Sequence, residues 1–153
     1  MVSRSPGRFL QTHRRIYLDT SIFIYFVERH PLYFDVCDEI FQKVEEGRIE
    51  AMTSTLTLME VLVQPYRVKK EEIVLKFYAL MTTYPNLKWI ELTLGISDLA
   101  AKLRAEHSLK TPDAIQIASA LSVGATGIVT NDKVFRKTNQ IPCLVLDEMV
   151  VKA

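Results

Sequence analysis

Four acidic side chains lack a basic neighbour within their own predicted strand or helix: Asp19, Glu60, Asp113 and Asp132. Carboxylates that cluster repel one another, so either some of them take up protons or a divalent cation joins them. Oxygen ligands without Cys or His select Mg²⁺ or Mn²⁺ over zinc. If the four converge, the sequence predicts a site for one or two such ions, which can activate water and neutralise charge on a phosphodiester.

The positions of three of these acids favour convergence. Asp19 follows the apolar run 16–18, and Asp132 follows the apolar run 127–130, so both come at the ends of predicted strands. Asp113 comes directly after Pro112, with Thr111 as the predicted N-cap of a helix, and so lies in its first turn. Strand carboxyl ends and the helix starts that follow them share one edge of a parallel sheet.

Glu60 is the only charge from Ala51 to Tyr66. Ser54 or Thr55 is predicted to cap a helix that runs to about position 63, where Pro65 should break it. Burying an unpaired carboxylate is strongly unfavourable, so a group outside this helix must compensate Glu60. On that helix, Glu60 shares an inward stripe at i, i+3, i+4 and i+7 spacing with apolar residues, namely Leu56, Met59 and Val63.

A simpler interpretation is that the four acids are unrelated helix caps and surface charges. Asp19 fits this well, since Asp is a common N-cap and a helix is predicted from Thr20. Glu60 fits it poorly, because no cap position explains an acid on an apolar stripe.

Strands alternate with helices along the chain, which predicts an α/β fold with a mainly parallel sheet covered on both faces. The positions of proline and glycine and the spacing of apolar residues indicate where each helix begins and ends. The predicted strands are 16–18, 50–53, 87–92, 127–130 and 141–146, the last at the sheet edge. The first predicted helix begins at about position 20. The others cover about 31–46, 54–63, 71–84, 94–107 and 111–123.

The 153 residues, 48% of them hydrophobic, fit one domain. We expect residues 1–14 to form a flexible N-terminal arm and residues 15–150 to form the domain. No apolar run approaches the ~20 residues of a membrane span, and the start lacks a secretory pattern, so we expect a cytoplasmic protein without membrane contact. Cys37 and Cys143 are predicted to be buried thiols, and the three histidines lack metal-ligand spacing.

The net charge of +1 by itself favours no particular partner. Setting aside the four acids as neutralised by metal leaves 14 acidic residues against 19 basic ones, a balance of +5 that modestly favours a polyanion.

At these acids the chain resembles the PIN-domain ribonucleases, and among them the VapC-like toxins of prokaryotic toxin–antitoxin pairs. The likeness runs from about position 16 to 146. It rests on four motifs, each weak alone but fairly specific in this order: Leu18-Asp19-Thr20-Ser21, Ser54 through Glu60-Val61-Leu62, Thr111-Pro112-Asp113-Ala114 and Thr130-Asn131-Asp132-Lys133-Val134-Phe135.

The resemblance implies a three-layer α/β/α PIN-like fold and a Mg²⁺- or Mn²⁺-dependent endoribonuclease that hydrolyses RNA phosphodiester bonds. It also implies a homodimer restrained by a cognate antitoxin protein. Water would attack phosphorus in line and leave a 5′-phosphate end.

Carried over position by position, the resemblance makes Asp19 and Asp113 the main metal ligands. Glu60 would complete the first metal shell or orient the attacking water, and Asp132 would hold a second ion or act through water. Supporting hydrogen bonds would come from Ser21 and Thr130.

Three basic residues follow Asp132 closely, at Lys133, Arg136 and Lys137, and these could hold flanking RNA phosphates. An ordinary solvated face explains them equally well. The arm at 1–14 contains three arginines and is followed directly by Arg15. It departs from the compact start usual in such toxins, and an added segment, a natural extension or an RNA-contacting tail would each explain it.

Other protein classes fit less well. A phosphatase of the haloacid-dehalogenase kind needs a second Asp two residues after the first, and here that position is Ser21. A receiver domain needs an acidic pair near the start and its phosphorylated Asp after a middle strand, and this sequence has neither. The remaining alternative is a PIN-like module that binds RNA or an antitoxin without significant nuclease activity.

Overall fold

The computed structural model describes residues 6–150, which are built around one five-stranded sheet. All neighbouring strands run parallel, in the order β3-β2-β1-β4-β5, which confirms the predicted parallel sheet. The strands are β1 (Arg15–Leu18), β2 (Glu50–Ser54), β3 (Leu87–Ile90), β4 (Gly127–Thr130) and the edge strand β5 (Cys143–Val145).

Helices connect the strands and cover the sheet. They are α1 (Gly7–Thr12), α2 (Thr20–Val27), α3 (Phe34–Glu45), α4 (Thr55–Arg67), α5 (Glu71–Thr83), α6 (Leu94–His107) and α7 (Thr111–Ser122), with 3₁₀ turns at Lys133–Thr138 and Leu146–Glu148. None of the helices within residues 6–150 has both the length and the apolar character needed to cross a membrane.

Alternation along β1 divides the core into two layers. Ile16 and Leu18 pack with the large apolar side chains of α2 to α5, whereas Tyr17 points to the opposite face, toward α6 and α7. The second layer is rich in alanine and isoleucine from α7, which lets that helix lie close to the sheet. This confirms the three-layer α/β/α arrangement.

Strand β1 lies at the centre and sets the positions of the loops that follow each strand. It pairs with β2 on one side and with β4 on the other, so that Ile16 is opposite both Ala51 and Gly127. Just beyond β1, the Asp19 N–H donates to the Val129 carbonyl at 3.1 Å. The segments that follow β1 and β4 are therefore adjacent.

The segment expected to be a flexible arm contains helix α1, which packs on the domain. Leu10 is buried in the first core layer. Phe9 lies so close to β4 that a Cβ added to Gly127 would come within 2.7 Å of its ring. For residues 6–14 the expectation of an arm is wrong, because these apolar contacts hold the segment down; residues 1–5 lie outside the described residues.

Two helix limits differ from the prediction. Helix α3 begins at Phe34 rather than at Pro31, because His30 Nδ1 accepts the N–H groups of Leu32 and Tyr33 and forms a turn first. Helix α4 continues through Pro65. Proline there removes only one hydrogen bond near the helix end, and its buried ring adds packing in exchange.

The two cysteines are free, with Cys37 buried and Cys143 partly buried.

Candidate active site

A cavity of about 360 Å³ opens at the carboxyl edge of the sheet. All four predicted acids line it, although they come from distant parts of the sequence. Its wall is completed mainly by polar and aromatic side chains, including Thr20, Ser21, Tyr25, Gln116 and Asn131.

Asp19 is the most buried of the four acids, with 6% of its surface exposed. It is the N-cap of α2: its Oδ1 accepts the N–H of Ser21 at 3.0 Å and the Ser21 hydroxyl at 2.6 Å. Its Oδ2 accepts the hydroxyl of Thr130, at the end of β4. The N-cap of α2 thus also lines the cavity, and the side chains of Ser21 and Thr130 both donate to its carboxylate.

Burial sets the protonation of Asp19. Loss of solvent raises the pKa of its carboxyl from 3.8 to about 6, and the hydrogen bonds from Ser21 and Thr130 oppose that rise only in part. In the metal-free protein, ionisation of this buried carboxyl near neutral pH therefore lowers the stability of the folded state.

Glu60 lies half-buried on α4 and is compensated by neutral donors. Its Oε1 accepts the hydroxyl of Thr20 at 2.7 Å and the amide of Gln116 at 3.0 Å. These donors belong to α2 and α7, as required by the argument that a group outside its own helix must satisfy it.

The inward stripe predicted around Glu60 is wrong. Met59 is 59% exposed and Val63 is 46% exposed, and the face that packs inward is a different one. Helix α4 carries apolar residues nearly all round, so periodicity permits more than one inward face. The buried residues are Thr57, Val61, Leu62 and Pro65, which leaves Glu60 at the border of the core.

Asp113 lies half-buried in the first turn of α7. Burial raises the pKa of its carboxyl, and the negative charges of Asp132 and Glu60 raise it further, against the opposing charges of Lys110 and Lys137. Repulsion therefore extends across the cavity. Thr111 is the first residue of the helix and not its cap; Lys110 takes the N-cap position without a side-chain hydrogen bond.

Asp132 is exposed and follows β4. Its Oδ1 caps the 3₁₀ turn by accepting the Val134 N–H at 2.9 Å, and its own N–H donates to Thr130 Oγ1 at 3.0 Å. Thr130 thus contacts both Asp19 and the backbone of Asp132.

No salt bridge to a residue within 6–150 neutralises any of the four acids. In the same part of the chain, no group of three or more His, Cys, Asp and Glu side chains is already arranged to hold a metal ion. The four acids thus line one cavity without an ion pair to residues 6–150, and within this range they do not form a ready metal site.

The basic residues after Asp132 differ in availability. Lys133 and Lys137 are exposed. Arg136 forms a two-pronged contact with Glu148, at 2.6 and 3.1 Å, which occupies the guanidinium. The guanidinium of Arg136 is therefore less available to a ligand than the ammonium groups of the two exposed lysines.

Two further residues connected to this site, Gln116 and Tyr17, were not predicted from the sequence. Gln116 is 2% exposed and bonds to Glu60, and the Tyr17 hydroxyl donates to the Gln116 carbonyl. One signal was available: Gln116 lies three residues after Asp113 on a helix, hence on the same face, in an otherwise short and apolar run.

A protein-family model described as PIN domain matches residues 16–141. A comparison with the sequences of curated proteins finds no significant match.

Solved structures with the same fold include toxin–antitoxin proteins. VapBC2 of Rickettsia felis, bound to a DNA fragment from its promoter, has a TM-score of 0.70 at 18% identity and covers 86% of this chain and 98% of its own. A toxin–antitoxin complex of Klebsiella pneumoniae gives 0.63 at 24% identity, with coverages of 85% and 96%. VapC20 of Mycobacterium tuberculosis, a toxin that cleaves the sarcin-ricin loop, gives 0.61 at 16% identity, with coverages of 74% and 86%.

Proposed function

Because this chain belongs to the PIN domain family, we propose that it is a Mg²⁺- or Mn²⁺-dependent endoribonuclease and the toxin of a toxin–antitoxin pair. The observation that carries the proposal is the cavity at the carboxyl edge of the sheet. Four acids from four separate segments line it, and none forms a salt bridge to the described part of the chain.

The donor set fits a magnesium-like ion. All four side chains offer oxygen, and among residues 6–150 neither Cys nor His lines the cavity. Asp19, Asp113 and Glu60 would hold the ion, with Asp132 at its outer side or at a second ion. When bound, such an ion neutralises charge on the phosphodiester and makes water a stronger acid.

The protein's own groups then fix the reacting atoms. Ser21 and Thr130 hold the oxygens of Asp19, so that this carboxylate cannot rotate. Glu60, bonded through Oε1, directs its other oxygen to orient the attacking water. The water oxygen bonds to phosphorus in line and loses a proton to solvent, while the bond to the 3′ oxygen of the upstream nucleotide breaks. That oxygen takes up a proton and leaves as a 3′-hydroxyl, and a 5′-phosphate end results.

Protein partners have a surface available beside the site. Helices α4 and α5 expose several large apolar side chains, namely Met59, Val63, Tyr66, Leu75 and Tyr78. We assign this face to the antitoxin, since similar solved structures are toxin–antitoxin complexes. Assembly as a homodimer and a cytoplasmic location complete the proposal.

RNA cleavage with and without EDTA tests the activity. We expect wild-type protein to cut RNA in Mg²⁺ or Mn²⁺, to stop in EDTA and to recover when the metal is restored. Asp19→Asn combined with Asp113→Asn should abolish cleavage. Asp98→Asn is the matched control, since Asp98 is an exposed acid on α6 paired with Lys102. Equal cleavage by the double variant would defeat the assignment.

One observation favours the alternative of a binding module without nuclease activity. The acids within the described residues are not arranged as a ready metal site. A protein of that kind would bind RNA or an antitoxin equally well in EDTA and would leave the RNA intact in every metal, so the same assay distinguishes the two functions.

A further inference from the structure

Gln116 is a buried amide in an apolar helix. It lies one turn after Asp113 on α7, among buried alanine and isoleucine side chains, and only 2% of its surface is exposed. Burying an amide without hydrogen bonds is unfavourable. Here the amide is bonded to residues of three other elements, which indicates a specific position rather than a chance polar residue.

The orientation of this amide is set by Tyr17 on β1. The Tyr17 oxygen accepts the N–H of Ser54 at 3.1 Å, so its own proton is free to be donated. That proton goes to the carbonyl oxygen of Gln116. Because an oxygen must face Tyr17, the NH₂ group of Gln116 faces the cavity.

That NH₂ group fixes one oxygen of Glu60. Gln116 Nε2 donates to Glu60 Oε1 at 3.0 Å and to Thr20 Oγ1 at 3.1 Å, and Thr20 in turn donates to the same Oε1 at 2.7 Å. Within the described part of the chain, both of these side-chain donors reach Oε1 and none reaches Oε2. Glu60 therefore presents a single free oxygen to the cavity.

We infer that Gln116 is a positioning residue: it holds Glu60 by one oxygen so that the other is aimed at the metal and water. The inference rests on the proposed nuclease function and deepens it. Gln116 acts through Glu60, to which it donates a hydrogen bond, and Tyr17 acts through Gln116.

Gln116→Met tests this inference because methionine keeps the volume and removes both polar ends. We expect Mn²⁺ affinity, measured by calorimetry, and kcat on RNA each to fall about 10- to 100-fold, the range for losing a group that orients a metal ligand. KM for RNA should stay unchanged, since Gln116 is buried. Ser119→Ala is the matched control: Ser119 is on the same helix and 1% exposed, and its hydroxyl has no partner among the described residues.

Tyr17→Phe is the second variant. If Gln116→Met does not unfold cooperatively on heating, the outcome for Tyr17→Phe decides in its place. It frees the amide to rotate, so we expect the same direction of change with a smaller loss. Wild-type Mn²⁺ affinity and kcat in a folded Gln116→Met protein, or in Tyr17→Phe where that variant decides, would overturn the inference. Wild-type protein that neither binds Mn²⁺ nor cuts RNA would instead overturn the proposed function.

Discussion

The two sides of the acidic cavity are built differently. On one side, Asp19 has both oxygens bonded to protein donors and Glu60 has two donors on one oxygen. On the other, Asp132 is exposed with a single bond to backbone, and the Asp113 carboxylate accepts no hydrogen bond from the described residues. The fold thus fixes one half of the site and leaves the other half adjustable.

This difference explains how the site holds so much negative charge. Hydrogen bonds hold the carboxylates of Asp19 and Glu60 in place, whereas fewer bonds hold Asp113 and Asp132 near their like-charged neighbours. It also explains why no ready metal site is found within residues 6–150 although all four acids line one cavity.

The comparison predicts unequal roles for the two adjustable acids, and this is the largest effect we expect. Asp113→Asn should lower kcat/KM on RNA about 10²- to 10³-fold, as for loss of one electrostatic stabiliser of a transition state. Asp132→Asn should lower it only about tenfold, because Asp132 is exposed and one of its oxygens already caps a turn. Both are measured by initial rates in excess Mn²⁺.

Asp98→Asn on α6 again serves as the control for removing a surface acid. Equal losses at positions 113 and 132, or a larger loss at 132, would break the distinction between a half-buried ligand and an exposed one.

On the side held by hydrogen bonds, burial of Asp19 should affect the free energy of unfolding. The pKa of Asp19 is about 6 in the folded chain against 3.8 ordinarily. The folded state therefore holds this proton more tightly than the unfolded state, so the free energy of unfolding falls as pH rises from about 4 to 6. In EDTA at pH 7.5, Asp19→Asn should gain up to about 3 kcal/mol, given 1.36 kcal/mol per pKa unit.

Urea unfolding at pH 4 and pH 7.5 measures this gain. It should be larger at pH 7.5 than at pH 4, and Asp132→Asn, which removes an exposed acid of the same cavity, is the control. A gain for Asp19→Asn that is the same at both pH values would show that burial of this charge is not its cause.

The smallest effect concerns the lysines beside the adjustable half. Lys137 is exposed, and its charge lowers the pKa of Asp113. Lys137→Ala should weaken RNA binding a few-fold at all sequences and reduce the slope of log affinity against log salt by about 1. Titrations of a fluorescent RNA at several salt concentrations measure both. An unchanged slope would place this lysine outside the RNA path.

The convergence of the four acids could be predicted from the sequence because each lacks a basic partner nearby in the chain. An acid without a local partner, at a strand end or in a first helical turn, must be compensated from elsewhere, and in a parallel sheet those places share one edge. The strand order could not be read in the same way, because it depends on pairings between residues far apart in the chain, such as Ile16 with Gly127.

The differences from the predictions have separate physical origins. The inward face of α4 cannot be read from periodicity, because apolar residues surround the helix, and Pro65 stays within the helix because its ring is buried and only one hydrogen bond is lost. Gln116 is hard to find in the sequence because an amide carries no charge, and its contact with Glu60 is visible only in the structure.

The central position of β1 has a consequence during synthesis. This strand is made first, yet its neighbour β4 and the nearby Asp132 come more than a hundred residues later. A nascent chain whose Gly127 is still inside the ribosome exit tunnel lacks a folded β4 and the Asp132 that follows it, so its acidic cavity stays incomplete until that segment emerges.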